Sequence, residues 1–291
     1  MNKLLSRVSL SLGSLVYAGL LACGAAAQPA DGAREGLIEL WTAGKPAFGY
    51  YVRQAREEGD TSEHPVYTVQ TGRELAANPL PDFAFLSLEQ HYDATSARNI
   101  AEGLRSDGVN RDLALLVRIP PISVDGVEAA RARTREVLEL GADGVVIPHV
   151  LSLEEAREAV SFFDGVDVWS PANPDGEVVV MLIVEDPEVF SQLDEIARIP
   201  GYSSLVCGIG SLTQALDGDR EAAEKINLQV LNASQRAGLV DMITVDKESV
   251  ALRIEQGFLG LLAYGPEAND TIRAGRAALG QQAPKTAKTQ P

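Results

Sequence analysis

Arg118, His149 and Glu185 each stand at the end of a short apolar run: Leu115-Leu-Val-Arg118, Gly144-Val-Val-Ile-Pro-His149 and Met181-Leu-Ile-Val-Glu185. Between them they supply a fixed cation with a planar fork of donors, an imidazole that titrates near neutrality and a hard oxygen donor. Glu89, Gln90 and His91 follow another such run, Phe83-Ala-Phe-Leu-Ser-Leu88, and Gly210 and Ser211 follow Ser204-Leu-Val-Cys-Gly208. A polar residue closing a buried strand is how a β/α barrel assembles an active site, because the C-terminal ends of all its strands meet at one face. The pattern therefore speaks to an active site at that face as well as to a fold.

The elements that must position these residues alternate along the chain. Eight nearly continuous apolar runs, at 48–53, 83–88, 114–119, 144–148, 178–184, 204–208, 242–245 and 260–264, read as strands buried on both faces. Helical patterns lie between them, at 125–140, 152–163, 188–198, 221–237 and 249–256. Ser152-Leu-Glu-Glu155 has the form of a capping box, and Gly141, Gly238 and Gly257 stand where helices end. Continuous apolar strands joined by helices predict a parallel sheet covered on its outside. The fold class is therefore α/β, a (β/α)8 TIM barrel, with an open doubly wound sheet as the alternative. That alternative favours a glycine-rich phosphate loop after the first strand, and no such loop follows residue 53.

Composition narrows the function classes. Asp and Glu total 41 against 25 Lys and Arg, for a formal net charge of −16. A surface this acidic repels phosphate backbones and anionic lipid, which argues against nucleic-acid and membrane-surface partners. Lys3 and Arg7, the apolar run 8–21 and Ala25-Ala-Ala27 have the order of a secretory signal at 1–27, and the run 8–21 is shorter than a membrane span needs. The expected location is then exported, periplasmic or secreted. Leu20-Leu-Ala-Cys23 also resembles a lipobox, which would tether the mature chain through Cys23. Removing the signal leaves Cys207 alone, so no internal disulfide is available and stability must come from a large core. The expected domain occupies 28–280, with a polar, disordered tail at 281–291.

Several stretches together resemble one family. Ala43-Gly-Lys-Pro-Ala-Phe-Gly49, Arg118 in Leu-Val-Arg-Ile-Pro, Gly141 to Val150, and Glu185 followed by Leu193-Asp-Glu-Ile196 and Pro200-Gly201 are similar to the HpcH/HpaI aldolase and citrate lyase β-subunit family, over nearly all the mature length. The resemblance implies a barrel of the phosphoenolpyruvate/pyruvate-binding type and a homo-oligomer. It implies carbon–carbon lyase chemistry on a small 2-oxo acid, with Mg²⁺, Mn²⁺ or Co²⁺ stabilising an enolate. Carried over residue by residue, Arg118 is the catalytic arginine that grips the substrate carboxylate and Glu185 is the metal ligand, with Ser211 at the second ligand position. Glu89, Gln90 and His91 fall in the catalytic acid–base segment, with Glu89 also a candidate metal ligand, and Gly210 and Ser211 fall at the substrate. His149 is placed at the substrate by its strand end and not by the family match, and it shares with His91 the candidacy for moving protons.

The sequence departs from the family pattern at identifiable positions. Ser211 stands where Gly-Pro-Ala-Asp-Leu-Ser has its aspartate, and Ser87-Leu-Glu89-Gln90 stands where Asp-Leu-Glu-His is usual, with His91 one residue later. The stretch Trp169 to Gly176 lacks the family's Gly-x-Arg-Gly. Two readings follow: a diverged metal-assisted lyase, or a weakened relative that binds an oxo acid without turnover. The blander expectations are that His64 is a surface residue, Cys207 a buried strand residue, Trp169 a packing residue, and Asn173-Pro-Asp-Gly176 a turn. Ser211 has no neighbouring histidine in sequence and does not read as a nucleophile.

Overall fold

A computed structural model describes residues 35–53, 64, 67–106 and 113–282, all within the unit Arg34–Pro291. The leader read at 1–27, with Cys23, and the segment 283–291 lie outside the described residues.

The strands are β1 (Ala47–Tyr51), β2 (Phe83–Ser87), β3 (Ala114–Arg118), β4 (Gly144–Ile147), β5 (Val168–Trp169), β6 (Val178–Val184), β7 (Ser204–Cys207), β8 (Met242–Val245) and β9 (Gly260–Ala263). They form one parallel sheet ordered β5-β6-β4-β3-β2-β1-β9-β8, with β7 also on β6. The two-residue β5 takes the start of the free edge of β6 at Val178 and Val179, while β7 takes its end from Met181 to Val184. A parallel bridge from Ser204 to Val240 joins β7 to the segment entering β8, and the sheet curls into a (β/α)8 barrel. All eight expected strands are present; β5 is additional.

Alternation along each strand decides what fills the barrel. Phe83, Phe85, Leu116, Val146, Met181, Ile183, Val206 and Leu262 face inward and pack together. Their neighbours Ala84, Val117, Val145, Val180, Leu182 and Leu205 face the helices. Each fully buried side chain of this size contributes roughly 1.5–3 kcal/mol. The helix Leu37–Thr42 closes the N-terminal end of the barrel. Its Trp41 stacks on Trp169 at 6.1 Å and donates from Nε1 to the Leu259 carbonyl at 3.0 Å. Trp169 therefore packs at the end opposite the strand C-termini, as a packing residue should.

Local signals act largely as expected. Ser152 Oγ accepts from the Glu155 amide at 3.0 Å, while the Glu155 carboxylate reaches back to the Leu151 amide at 2.6 Å, one residue earlier than a standard capping box. The helix expected at 125–140 runs Val127–Glu139, and Gly126, at φ +85, separates it from a short helix, Ile122–Asp125, that precedes it. The C-terminal helix Ala268–Gln282 runs two residues beyond the expected boundary at 280. Its Arg276 clamps it to the barrel through Asp82 at 2.8 Å and the Leu80 carbonyl at 2.7 Å. Among the described residues no helix is long and apolar enough to cross a membrane.

Candidate active site

The alternation that builds the core also aims the polar residues. Arg118 shares the face of Leu116, Glu185 that of Ile183, and Ser87 that of Phe85, so all three turn into the mouth at the C-terminal ends of their strands. Arg118 donates from Nε and from Nη2 to Ser87 Oγ, each at 3.0 Å, and from Nη2 to the Tyr51 hydroxyl at 3.2 Å. The guanidinium lies over the Phe85 ring, 5.7 Å from its centroid. Nη2 also pairs with Glu89 Oε2 at 2.6 Å, where both side chains are largely enclosed. Nη1, the remaining arm of the fork, takes no part in these contacts.

His149 extends this chain of charges to Glu185. Its Nε2 lies 2.8 Å from Glu89 Oε1 and its Nδ1 lies 3.5 Å from Glu185 Oε2. The first contact is short but out of line, leaving Oε1 without an aligned donor. His149 holds φ +52, one of two non-glycine residues in the left-handed region among the described residues. Such a backbone costs on the order of 1–3 kcal/mol and persists where the surroundings enforce it. It follows Pro148 and turns the imidazole between the two carboxylates.

Glu185 is only 5% exposed. Its carboxylate rests on Gly208, where an added Cβ would lie 2.3 Å from Glu185 Cδ. Burial raises the Glu185 carboxyl above its ordinary range, against the nearby Ser211 hydroxyl and the charges of His149 and Arg118. Glu89 moves the other way: burial would raise it, but the His149 contact and the Arg118 charge hold it below. The Glu89 contact raises His149, burial opposes, and the Glu185 charge adds to the rise. Two carboxyls at one mouth are thus pushed apart, a pattern common at catalytic centres.

Among the described residues, no three of His, Cys, Asp and Glu converge as a ready metal cage. What the mouth does offer is a buried carboxylate, Glu185, beside the Ser211 hydroxyl, with Glu89 Oε1 short of an aligned donor. Hard oxygen donors of this kind fit a Mg²⁺-like ion held by one or two carboxylates, with water and substrate completing the shell.

Two adjoining hollows open here, and Tyr51 and Arg118 line both. One of about 210 Å³ is bounded by Glu185, Gly208, Gly210, Ser211 and Thr244. The other, of about 650 Å³, is bounded by Arg53, His64, Glu89, Gln90 and His91. Arg118, Glu89, His149, Glu185 and Ser211 are therefore brought together, and Gly210 borders the same hollow. Gln90 and His91 are exposed and stand on the wall of the larger hollow, with the His91 ring stacked on His64 at 4.1 Å. Sequence reasoning missed Tyr51 and the close approach of Gly208. For Tyr51 the available signal was its place two residues after Gly49 on the inward face; for Gly208 there was none, because the contact is with another strand.

The HpcH/HpaI aldolase/citrate lyase family profile matches residues 87–268, well over half of the chain. No curated protein matches. Among solved structures, an HpcH/HpaI aldolase from Desulfitobacterium hafniense is 21% identical, with a TM-score of 0.61 over 87% of this chain and 99% of that one. An HpcH/HpaI aldolase/citrate lyase family protein from Burkholderia cenocepacia is 18% identical, with a TM-score of 0.63 over 84% and 98%. A citrate lyase beta subunit from M. tuberculosis, complexed with oxaloacetate and magnesium, is 16% identical, with a TM-score of 0.54 over 80% and 96%. At these identities the likeness to solved structures speaks for the barrel.

Proposed function

The chain belongs to the HpcH/HpaI aldolase/citrate lyase family, and from that premise we propose that it makes or breaks a carbon–carbon bond of a small 2-oxo acid with a divalent cation. The observation that carries this reading is the joining of Arg118 to Glu185 across one mouth by Glu89 and His149. Arg118, held by Ser87 and Tyr51 through Nε and Nη2, is preorganised to take the substrate carboxylate. Glu185 and Ser211 would hold the cation, which when bound polarises the oxo group and offsets the negative charge that develops on its oxygen. His149, set between two carboxylates, is the imidazole positioned to carry a proton at the carbon beside the oxo group. Glu89 orients that imidazole as well as pairing with Arg118. The ligand of the M. tuberculosis relative, oxaloacetate, is a 2-oxo acid of this class.

The test is exchange of the pyruvate methyl protons in D₂O, followed by NMR with and without Mg²⁺ or Co²⁺. Exchange that requires the cation and disappears in Glu185→Gln and Arg118→Ala is the expected result. Absence of cation-dependent exchange with pyruvate and with oxaloacetate overturns the lyase reading.

A further inference from the structure

We propose that Glu89 is a built-in competitor for Arg118, and that this competition is what selects 2-oxo acids over ordinary carboxylic acids. The proposal rests on the reading of Arg118 as the substrate-carboxylate residue and extends it to specificity.

Arg118 carries one positive charge, and without ligand it already faces a carboxylate, Glu89 Oε2 at 2.6 Å from Nη2. Glu185 adds a second carboxylate, linked to the first through His149. A simple monocarboxylate entering this mouth would meet an arginine whose charge is spent and two like charges close by. Its gain at Nη1 would be offset by repulsion from Glu89 across the same guanidinium. A 2-oxo acid differs, because its adjacent carbonyl and carboxylate oxygens can chelate a divalent cation at Glu185, and the cation's charge repays the crowding of anions.

Glu89 is built to yield without becoming an isolated charge. Its two oxygens face different partners, Oε2 toward Arg118 and Oε1 toward His149. Releasing Arg118 leaves the imidazole contact in place, so displacement breaks one charged contact and not two. Ser87 and Tyr51 hold the guanidinium still while the anion is exchanged. In this arrangement the position of Glu89 acts as a filter on ligand chemistry at a site whose hollows would admit many small acids.

The experiment is titration calorimetry of full-length protein with pyruvate and with propionate, in Mg²⁺, comparing wild type with Glu89→Gln, Glu89→Asp and Arg118→Ala. Glu89→Gln keeps the shape and removes the charge. It is expected to tighten propionate binding by about tenfold or more, the scale of one charge-assisted contact, and to narrow the preference for pyruvate. Glu89→Asp, with a carboxylate drawn back from Nη2, is expected to fall between, which keeps the test open should the glutamine variant fold poorly. Propionate affinity unchanged or weaker in both Glu89 variants, with pyruvate binding lost in Arg118→Ala, overturns the competitor while leaving the function reading intact. Pyruvate binding untouched by Arg118→Ala overturns both.

Discussion

Glu89 and Gln90 are neighbours in sequence and belong to different surfaces. Glu89 keeps the inward parity of Phe83, Phe85 and Ser87 and joins the charge chain; Gln90 is exposed at the wall of the larger hollow. A one-residue step reverses a side chain because the strand period is two, so the position of the carboxylate was readable and its partners were not. A second residue-scale feature lies away from the mouth. Asp241 is buried just before β8, and its carboxyl is raised well above the ordinary range by burial, against the Met242 amide and the Ser234 hydroxyl. The unfolded chain would ionise there near pH ~3.9. Above that pH the folded state keeps a proton the unfolded chain has lost, so this group's contribution to stability declines as pH rises toward the folded value. Asp241→Asn, neutral throughout, is expected to raise Tm by a few degrees near neutrality and to change little near pH ~4, at about 2–4 °C per kcal/mol for a domain of this size. Calorimetry across that range checks it, and an equal shift at both ends would refute the assignment of a buried proton.

At the scale of elements, the turn from β7 into the helix Ile209–Ala215 places two parts of the site at once. Ser211 comes forward in the first turn of that helix, and Gly208, its N-cap, leaves room for the Glu185 carboxylate delivered by β6. A methyl at 208 would have to displace that carboxylate. Gly208→Ala is therefore expected to keep far-UV circular dichroism unchanged while lowering cation-dependent pyruvate exchange by on the order of a hundredfold, the effect of displacing a reacting group by about 1 Å. Full exchange in this variant would show that Glu185 does not hold the cation from its observed position. Strand positions were legible from sequence because continuous apolar runs have few competing readings. Helix bounds were less so: the short helix Ile122–Asp125 before Gly126 and the helices Val69–Ala77, Ala94–Leu104 and Ile209–Ala215 were not among those read from the sequence, each being about three turns or fewer and so offering few repeats of an apolar stripe.

For the whole molecule, the barrel accounts for the described residues from the plug at Trp41 to the clamp at Arg276. We also propose, from the sequence alone, that the chain is exported and self-associates. Basic Lys3 and Arg7, the apolar run 8–21 and the alanines at 25–27 support the first; the second rests on the family resemblance. Intact mass of protein recovered from the exported fraction is expected to show a chain beginning near residue 28, with light scattering of the same sample reading the assembly. A chain that retains residues 1–27 in full would refute cleavage, and one beginning at an acylated Cys23 would replace it with lipid anchoring. The formal charge of −16 predicts no affinity for nucleic acid in either case.

By itself the sequence determined the barrel, the order of its eight principal strands and the residues that end them, because burial on both faces and a period of two are local properties of the chain. It also determined where family residues are replaced, with Ser211 in place of an aspartate and Gln90 in place of a histidine. Only the tertiary structure decided what those endings do together. Glu89 lies between Arg118 and His149, and His149 between Glu89 and Glu185, across the C-terminal ends of β2, β3, β4 and β6. No spacing in the chain encodes those distances, because they arise when the sheet curls and brings strand ends from distant parts of the sequence to one face. The same closure sets the charge balance at the mouth, and with it which acids can enter.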